Sequence, residues 1–210
     1  MEDGEYLLQC IRSIAEDFTG ISQDEASREL GHVISETPLQ YLNFIETVLR
    51  GAIENFSEED STFVRLLLMQ VDLILRPTHD TPIKFIRKQL NEPPNTELVE
   101  SIAEWCLKLS VSPSEALSSQ ACFTLSRLVI TIGNPLFVFD QFQRFLASDT
   151  LMPILLFFEH FFLSGLISNE ELNQIQKDRQ FFIDAISNAL EIPQFWQSAL
   201  PCLNAFLSHT

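Results

Sequence analysis

The sequence predicts an all-α fold, and three observations support this prediction. A Ser or Thr is repeatedly followed by Pro or, three residues later, by an acid or amide, a pattern typical of helix N-termini. Between these signals, apolar residues recur at helical spacing. The 210 residues include only 6 Gly but 18 Phe, which disfavours β-sandwiches, β-barrels and Gly-rich phosphate loops. A hydrophobic content of 46% is enough for a sizeable core, so disorder is excluded as the main state.

The helix-start signals divide the chain into about eleven helices of roughly three to five turns. The cap signals lie at Ser22, Thr37, Ser57, Thr81, Ser112 and Ser168, and further starts are expected near Gly4, Thr96, Pro135, Thr150 and Pro193. Every second start recurs after about 38 residues, between the tetratricopeptide and the HEAT or armadillo periods. The uneven intervals favour an α-solenoid of about five to six HEAT-like helical hairpins, with residues 1–210 forming a single solenoid.

The helices differ in how much of their circumference is apolar, and this difference predicts two layers. The third helix has one apolar stripe and is expected on the outside, whereas the fourth is apolar on most sides and is expected to be an inner helix. Inner helices would expose only narrow polar seams, where a partner would sit. The predicted seams are Arg65, Met69, Asp72 and Arg76 on the fourth helix, Glu25, Arg28, Glu29 and His32 on the second, and Gln120, Thr124, Arg127 and Thr131 on the seventh.

The net charge of −16 opposes binding to a phosphate backbone, so nucleic acid is not expected as a direct ligand. The first residues are acidic, whereas secretory and mitochondrial leaders are basic. The most apolar stretch, Leu151 to Leu163, is too short and too polar to cross a membrane. Against this acidic background residues 61–90 carry a net charge of +3, and they include a basic cluster formed by Lys84, Arg87 and Lys88.

No sequence motif indicates an enzyme, a bound cofactor or a metal site. The four cysteines are too far apart for a zinc or redox motif, and we expect them to be reduced core thiols. His160 lies among four Phe residues, which predicts a partly buried histidine with its hydrogen bonds satisfied rather than a ligand. Trp105 and Trp196 lie between apolar neighbours and are both predicted to pack in the core.

Several local patterns resemble one known family. Residues 22–35 place Ala26 and Leu30 at helical spacing, the next helix begins Pro-Leu-Gln-Tyr-Leu at Pro38, and Val64-Arg65 opens an apolar helix. A short helix at 82–90 and the helical hairpin Leu98 to Leu109 and Ser114 to Ile132 follow. In this order residues 1–133 resemble the N-terminal importin-β-like domain of karyopherins, the nuclear transport receptors. Residues 134–210 are expected to form further HEAT-like repeats, and Leu151 to Leu156 is similar to the fifth repeat of the transportin-SR branch.

The resemblance implies binding rather than catalysis. In karyopherins the concave inner helices of the first repeats bind the small GTPase Ran in its GTP form, the outer helices meet Phe-Gly nucleoporins, and acidic receptors carry basic protein cargo. The expected Ran contacts here are Glu25, Arg28, Glu29, Arg65, Asp72, Arg76 and Arg127. The resemblance further implies shuttling between cytoplasm and nucleus. It also implies a longer protein, because receptors of this family are several times longer. The final helix is apolar over more than one stripe, whereas a terminal repeat needs a polar outer face, so a following helix is predicted. These apolar residues are Phe195, Trp196, Ala199, Leu200, Leu203, Phe206 and Leu207.

Two other functions are compatible with the same fold. A HEAT scaffold would organise a cytosolic protein complex without contacting Ran, since a fold does not determine a function. An accessory subunit of an enzyme would use the basic cluster formed by Lys84, Arg87 and Lys88. Nucleotide-dependent binding of Ran would distinguish a nuclear transport receptor from both alternatives.

Overall fold

Ten α-helices account for most of the residues that the computed structural model describes, which are 2–14, 21–54, 56–76, 83–132, 151–163 and 179–208. No strand occurs within these ranges, and the predicted all-α class is confirmed. The helices are α1 Glu2–Ser13, α2 Gln23–Glu36, α3 Pro38–Glu54, α4 Ser61–Leu75, α5 Ile83–Leu90, α6 Asn95–Leu109, α7 Glu115–Ile132, α8 Leu151–Leu163, α9 Arg179–Leu190 and α10 Trp196–Ser208. Short 3₁₀ turns at Glu58–Asp60 and Pro193–Phe195 precede α4 and α10.

The helices pack in two rows. In one row α1 contacts α4, α4 contacts α7, α7 contacts α8, and α8 contacts α10. In the other row α2 contacts α3 and α3 contacts α6. The pairs α1–α2, α3–α4 and α6–α7 also pack together, as expected of helical hairpins, while α5 lies against α6 and α7. In a regular array of helical hairpins, α1 would pack on α3 and α2 on α4. Here α1 packs on α4 and α2 packs on α3.

Local signals in the sequence explain where several helices begin. The Ser22 hydroxyl accepts a hydrogen bond from the backbone N–H of Glu25 at 3.2 Å, as the cap pattern predicts for α2. Before α4, the Asp60 carboxylate accepts hydrogen bonds from the backbone N–H and the hydroxyl of Ser57 at 3.1 and 2.7 Å. The starts predicted at Thr81, Pro135 and Ser168 lie outside the described residues.

The contribution of the Ser22 cap to stability can be measured by substitution. Ser22→Ala is expected to destabilise the protein by about 1 kcal/mol, because an orphan amide at the start of α2 loses its acceptor. Ser27→Ala is the matched control, since Ser27 is exposed in the middle of the same helix, where Ala is the better helix former. Urea unfolding of both variants measures the difference, and equal stabilities would contradict the assigned cap.

Most of the predicted core residues are buried. All four cysteines are free and buried, which confirms the expectation of core thiols. The core of α8 is aromatic, with Phe157, Phe158, Phe161 and Phe162 at most 1% exposed. His160 is half-buried with its ring 5.2 Å from that of Phe123, but its Nε2 has no hydrogen-bond partner among the described residues, so the predicted satisfied histidine is wrong in that respect.

The two tryptophans do not behave alike. Trp105 is half-buried and packs against the core. Trp196 is 50% exposed, so its predicted core position is wrong. Its indole N–H donates a hydrogen bond to the carbonyl of Leu190 at 2.8 Å, which satisfies the polar atom and leaves much of the ring at the surface.

Candidate protein-interaction surface

After Thr62 in its first turn, the exposed residues of α4 are Arg65, Met69 and Leu73, followed by Arg76, which caps its C-terminal end. We call these last four residues the α4 seam. Met69 is 37% exposed and Leu73 is 39% exposed, although both are apolar. The spacing of four, four and three residues keeps all four side chains on one side of the helix. The remaining sides of α4 pack against α1, α3 and α7. A narrow seam on an otherwise buried helix was predicted, and three of its four predicted members are exposed.

Asp72 is the exception, and the prediction that it lies in the exposed seam is wrong. The residue is 6% exposed and faces α7, where its Oδ2 accepts hydrogen bonds from the Gln120 side-chain amide and from the Thr124 hydroxyl, the latter at 3.2 Å. Its Oδ1 has no hydrogen-bond partner among the described residues. Successive helical residues are rotated by about 100°, so Leu73 takes the exposed place and Asp72 lies in the interface.

Burial has the largest effect on the pKa of Asp72. It raises the pKa of the carboxyl group to about 7, against the hydrogen bonds from Thr124 and Gln120 and the charges of Arg127 and Arg76, which lower it. Near neutral pH the contact between α4 and α7 therefore changes its charge.

The seam predicted on α7 is largely buried. Thr124 and Thr131 are both fully buried, so their predicted exposure is wrong. Gln120 and Arg127 are half-buried, and the Arg127 guanidinium lies 5.3 Å from the ring centre of Phe123. Because α7 contacts α4, α5, α6 and α8, few of its side chains reach the surface. Arg127 is the charged side chain of the predicted α7 seam.

The predicted contacts on α2 are exposed but belong to the other row. Glu25, Arg28 and Glu29 all lie at the surface, as predicted. Burial raises the pKa of Cys10 on α1, and the charges of Glu29 and Glu25 raise it further, which places both carboxylates near α1. The structure therefore brings Arg76, Arg127 and the buried Asp72 together, with Arg65 farther along α4, and leaves the α2 set as a separate surface.

The α4 seam is basic and apolar on a protein whose net charge is −16. Asp72 is the one acidic residue of α4, and it is buried. On the neighbouring α1 the exposed Arg12 adds a cation, with its guanidinium 5.0 Å from the ring centre of Phe63 on α4. Two exposed apolar side chains between cations can bury area and attract acidic groups at the same time. The chemistry of this surface fits a protein partner that presents carboxylates beside apolar groups.

A second polar feature, centred on Glu46, joins α3 to α6, and the sequence analysis did not single it out. Glu46 is 2% exposed, and its Oε1 accepts hydrogen bonds from Ser101 at 2.5 Å and Trp105 at 3.2 Å, both on α6. Arg50 binds both carboxylate oxygens at 2.8 and 2.9 Å. Burial alone would raise the pKa of Glu46, but the hydrogen bonds from Ser101, Arg50 and Trp105 outweigh it and lower the pKa.

The sequence did contain a signal for this contact. Glu46 interrupts the apolar stripe of α3, between Leu42 and Leu49, with a basic residue four positions later. Beside it, an open groove of about 530 Å³ runs between α3 and α6 and is lined by Gln40, Asn43, Glu97 and the Glu46–Arg50 pair, among others. The Glu46–Arg50 pair lies within α3, and the hydrogen bonds that Ser101 and Trp105 donate to Glu46 join α3 to α6.

The basic cluster around α5 has a structural use. The Arg87 guanidinium donates hydrogen bonds to the carbonyls of Thr131 at 2.9 Å and Ile130 at 2.6 Å, and the Asn91 amide donates to the carbonyl of Ile132 at 3.1 Å. These are carbonyls of the last turn of α7, which have no N–H donor within the helix. Lys88 is exposed, and the side chain of Lys84 is outside the described part of the structure. An accessory function of this basic cluster stays a prediction, with Lys88 as its exposed cation.

Comparison of the chain with protein-family models, with curated proteins and with solved structures gave no match. Within the described ranges, no helix combines the length and apolarity needed to cross a membrane. No group of three or more His, Cys, Asp and Glu side chains in those ranges is arranged to hold a metal ion. The α4 seam is accordingly the feature on which a functional proposal can be built.

Proposed function

We propose that the chain is a segment of an importin-type nuclear transport receptor that binds Ran in its GTP form through the α4 seam. The proposal takes residues 1–133 as an importin-β N-terminal-like region and 134–210 as further repeats of a HEAT-like α-solenoid. It includes shuttling between cytoplasm and nucleus, carriage of basic protein cargo and contact with Phe-Gly nucleoporins. The observation that carries it is the exposed basic and apolar face of an otherwise buried helix.

The packing supports this proposal in two ways. Consecutive helices pack as pairs, and the α3–α4 and α6–α7 pairs are stacked, as α3 contacts α6 and α4 contacts α7. The expected Ran contacts are then Arg65, Arg76 and Arg127, with Met69 and Leu73 between the two cations of α4. Asp72 is removed from this set because it is buried in the interface with α7. Glu25, Arg28 and Glu29 on α2 would meet a different part of the partner.

The experiment is a titration of this chain with Ran loaded with a non-hydrolysable GTP analogue, beside Ran loaded with GDP, at two salt concentrations. We expect tighter binding of the GTP form, weaker at high salt, and a loss of at least about tenfold in affinity for Arg65→Glu. Lys88→Glu is the control, because it makes the same charge change at an exposed residue of α5.

Equal or absent binding of the two Ran forms by folded protein would contradict the proposal. The alternative function is then a HEAT scaffold, which Met69 and Leu73 favour because an apolar contact area requires no nucleotide-dependent partner. An equal loss of affinity in Arg65→Glu and Lys88→Glu would also contradict the α4 seam as the binding surface, because long-range charge alone would explain it.

A further inference from the structure

The last described helix, α10, exposes an apolar stripe formed by Trp196, Leu200, Leu203 and Leu207, which we call the α10 stripe. Trp196 is 50% exposed, Leu200 is 53% exposed and Leu207 is 58% exposed, while Leu203 is half-buried. Single exposed apolar residues are ordinary, whereas several on one helix face mark an interaction surface. The α10 stripe therefore requires an explanation.

Another side of α10 is firmly packed, so the stripe belongs to a fixed helix. Ala199 and Cys202 are fully buried, and the Cys202 thiol donates a hydrogen bond to the Leu155 carbonyl of α8 at 3.0 Å. The ring of Phe206 lies 5.7 Å from that of Phe162, also on α8. Contacts with α9 hold the helix as well. One side of α10 is therefore buried in the core, and the α10 stripe is exposed on another side.

The spacing of the stripe identifies the kind of partner it fits. Its residues are separated by four, three and four positions, the pattern with which one α-helix packs along another. α10 is the last described helix of the row in which α1, α4, α7, α8 and α10 each contact the next. An α-helix lying along the α10 stripe would cover its apolar side chains.

Charge identifies the source of that helix. Residues 192–208 contain no charged side chain, although the whole chain carries −16. Two copies of so acidic a protein repel one another over most of their surfaces, and the uncharged α10 is where they can approach at the smallest electrostatic penalty. We propose that the α10 stripe packs against the same stripe of a second copy of this chain, with the two helices antiparallel about a two-fold axis.

The size of this contact sets the expected strength of the dimer. A helix of 13 residues is roughly 20 Å long, so two such faces bury about 800–1,000 Å² in total. That area lies below the roughly 1,200–2,000 Å² of stable specific interfaces, in the range of weak, transient contacts. The dimer should therefore depend on concentration. The proposal is independent of Ran binding, because the α4 seam takes no part in it.

Sedimentation of the whole chain from about 1 to 200 μM tests the proposal. The wild-type mass is expected to rise from 24.0 kDa toward twice that value. Leu200→Glu should raise the dissociation constant at least about tenfold, because it places a carboxylate in the apolar contact, near the centre of the antiparallel pair. Val111→Glu is the matched control, since Val111 is also 53% exposed but lies after α6, and it should dimerise as the wild type does. Thermal melts confirm that both variants are folded.

Three results would overturn the proposal. The first is a wild-type mass that stays at that of the monomer over the whole range. The second is a dimer that Leu200→Glu leaves intact, or that Val111→Glu weakens equally. The third is a monomer that binds a hydrophobic dye through Leu200, which would leave the α10 stripe to the following helix that the sequence analysis expects.

Discussion

Asp72→Asn is expected to stabilise the protein, with a gain that increases as the pH rises. Burial raises the pKa of Asp72 in the folded protein to about 7, from an ordinary value of 3.8. Between these two values the folded state holds a proton that the unfolded state has lost. Wild-type stability therefore falls as the pH rises through this window, and the loss levels off about one unit above the folded pKa. Asn has the same shape and no charge, so it avoids the loss.

The size of this effect follows from the pKa shift. One pKa unit corresponds to about 1.4 kcal/mol, so the advantage of Asp72→Asn should grow by roughly 2 kcal/mol between pH 5 and pH 7.5. His160 acts in the opposite direction, because burial lowers its pKa and its stability contribution is lost at low pH. That contribution is the same in both proteins and cancels in their difference.

Urea unfolding at several pH values measures the difference between the two proteins. Asp184→Asn is the control, since it removes the same charge at an exposed position of α9 and should run parallel to the wild type. Parallel profiles for Asp72→Asn and wild type would show that the carboxyl group of Asp72 is ionised without penalty, and the burial argument would then be wrong.

Glu46→Ala is expected to give the largest loss of stability among the substitutions considered, about 2–3 kcal/mol. The change removes the acceptor of Ser101 and Trp105 from a nearly dry site between α3 and α6. Arg50 is 53% exposed in its side chain and can turn to water, so its unpaired charge adds little to the loss. Glu46→Gln keeps an acceptor and the side-chain volume, and it should lose less.

The matched control is the ion pair between Glu104 and Lys108 on α6. Their charged atoms are 3.0 Å apart, close to the distance in the Glu46–Arg50 pair, but the side chains are 66% and 51% exposed. Glu104→Ala should change stability by less than about 0.5 kcal/mol, because exposed pairs are screened by water. Chemical unfolding of the variants measures both losses of stability. Equal losses in Glu46→Ala and Glu104→Ala would contradict the structural importance of the buried carboxylate.

The sequence predicts the helices of this protein better than it predicts their rotation. Caps such as Ser22 depend on residues three or four positions apart, so local chemistry determines them. Which of Asp72 and Leu73 faces water depends on where α7 lies, and the stripe pattern of α4 tolerates either choice because apolar residues nearly surround the helix. The predicted exposure of Asp72 was wrong for this reason.

The candidate surface was predictable in part. Arg65 and Arg76 were expected in the exposed seam and are exposed, whereas the apolar Leu73 was not expected there. Trp196 was assigned to the core from its apolar neighbours, but local composition does not reveal that α10 presents one side to solvent. The Glu46 contact had a sequence signal, an acid within an apolar stripe, while its partners Ser101 and Trp105 could be known from packing alone.

The four buried thiols can report the local opening of helices in the protein without any substitution. Cys10, Cys106, Cys122 and Cys202 lie on α1, α6, α7 and α10. Burial raises the pKa of Cys122 and of Cys202 to about 12, so the reactive thiolate is scarce while these helices stay closed. An alkylating reagent must wait for each helix to open, and its rate at each cysteine then reports how often that happens. Peptide mass analysis after timed alkylation would map the stability of the chain from one end to the other without a single substitution.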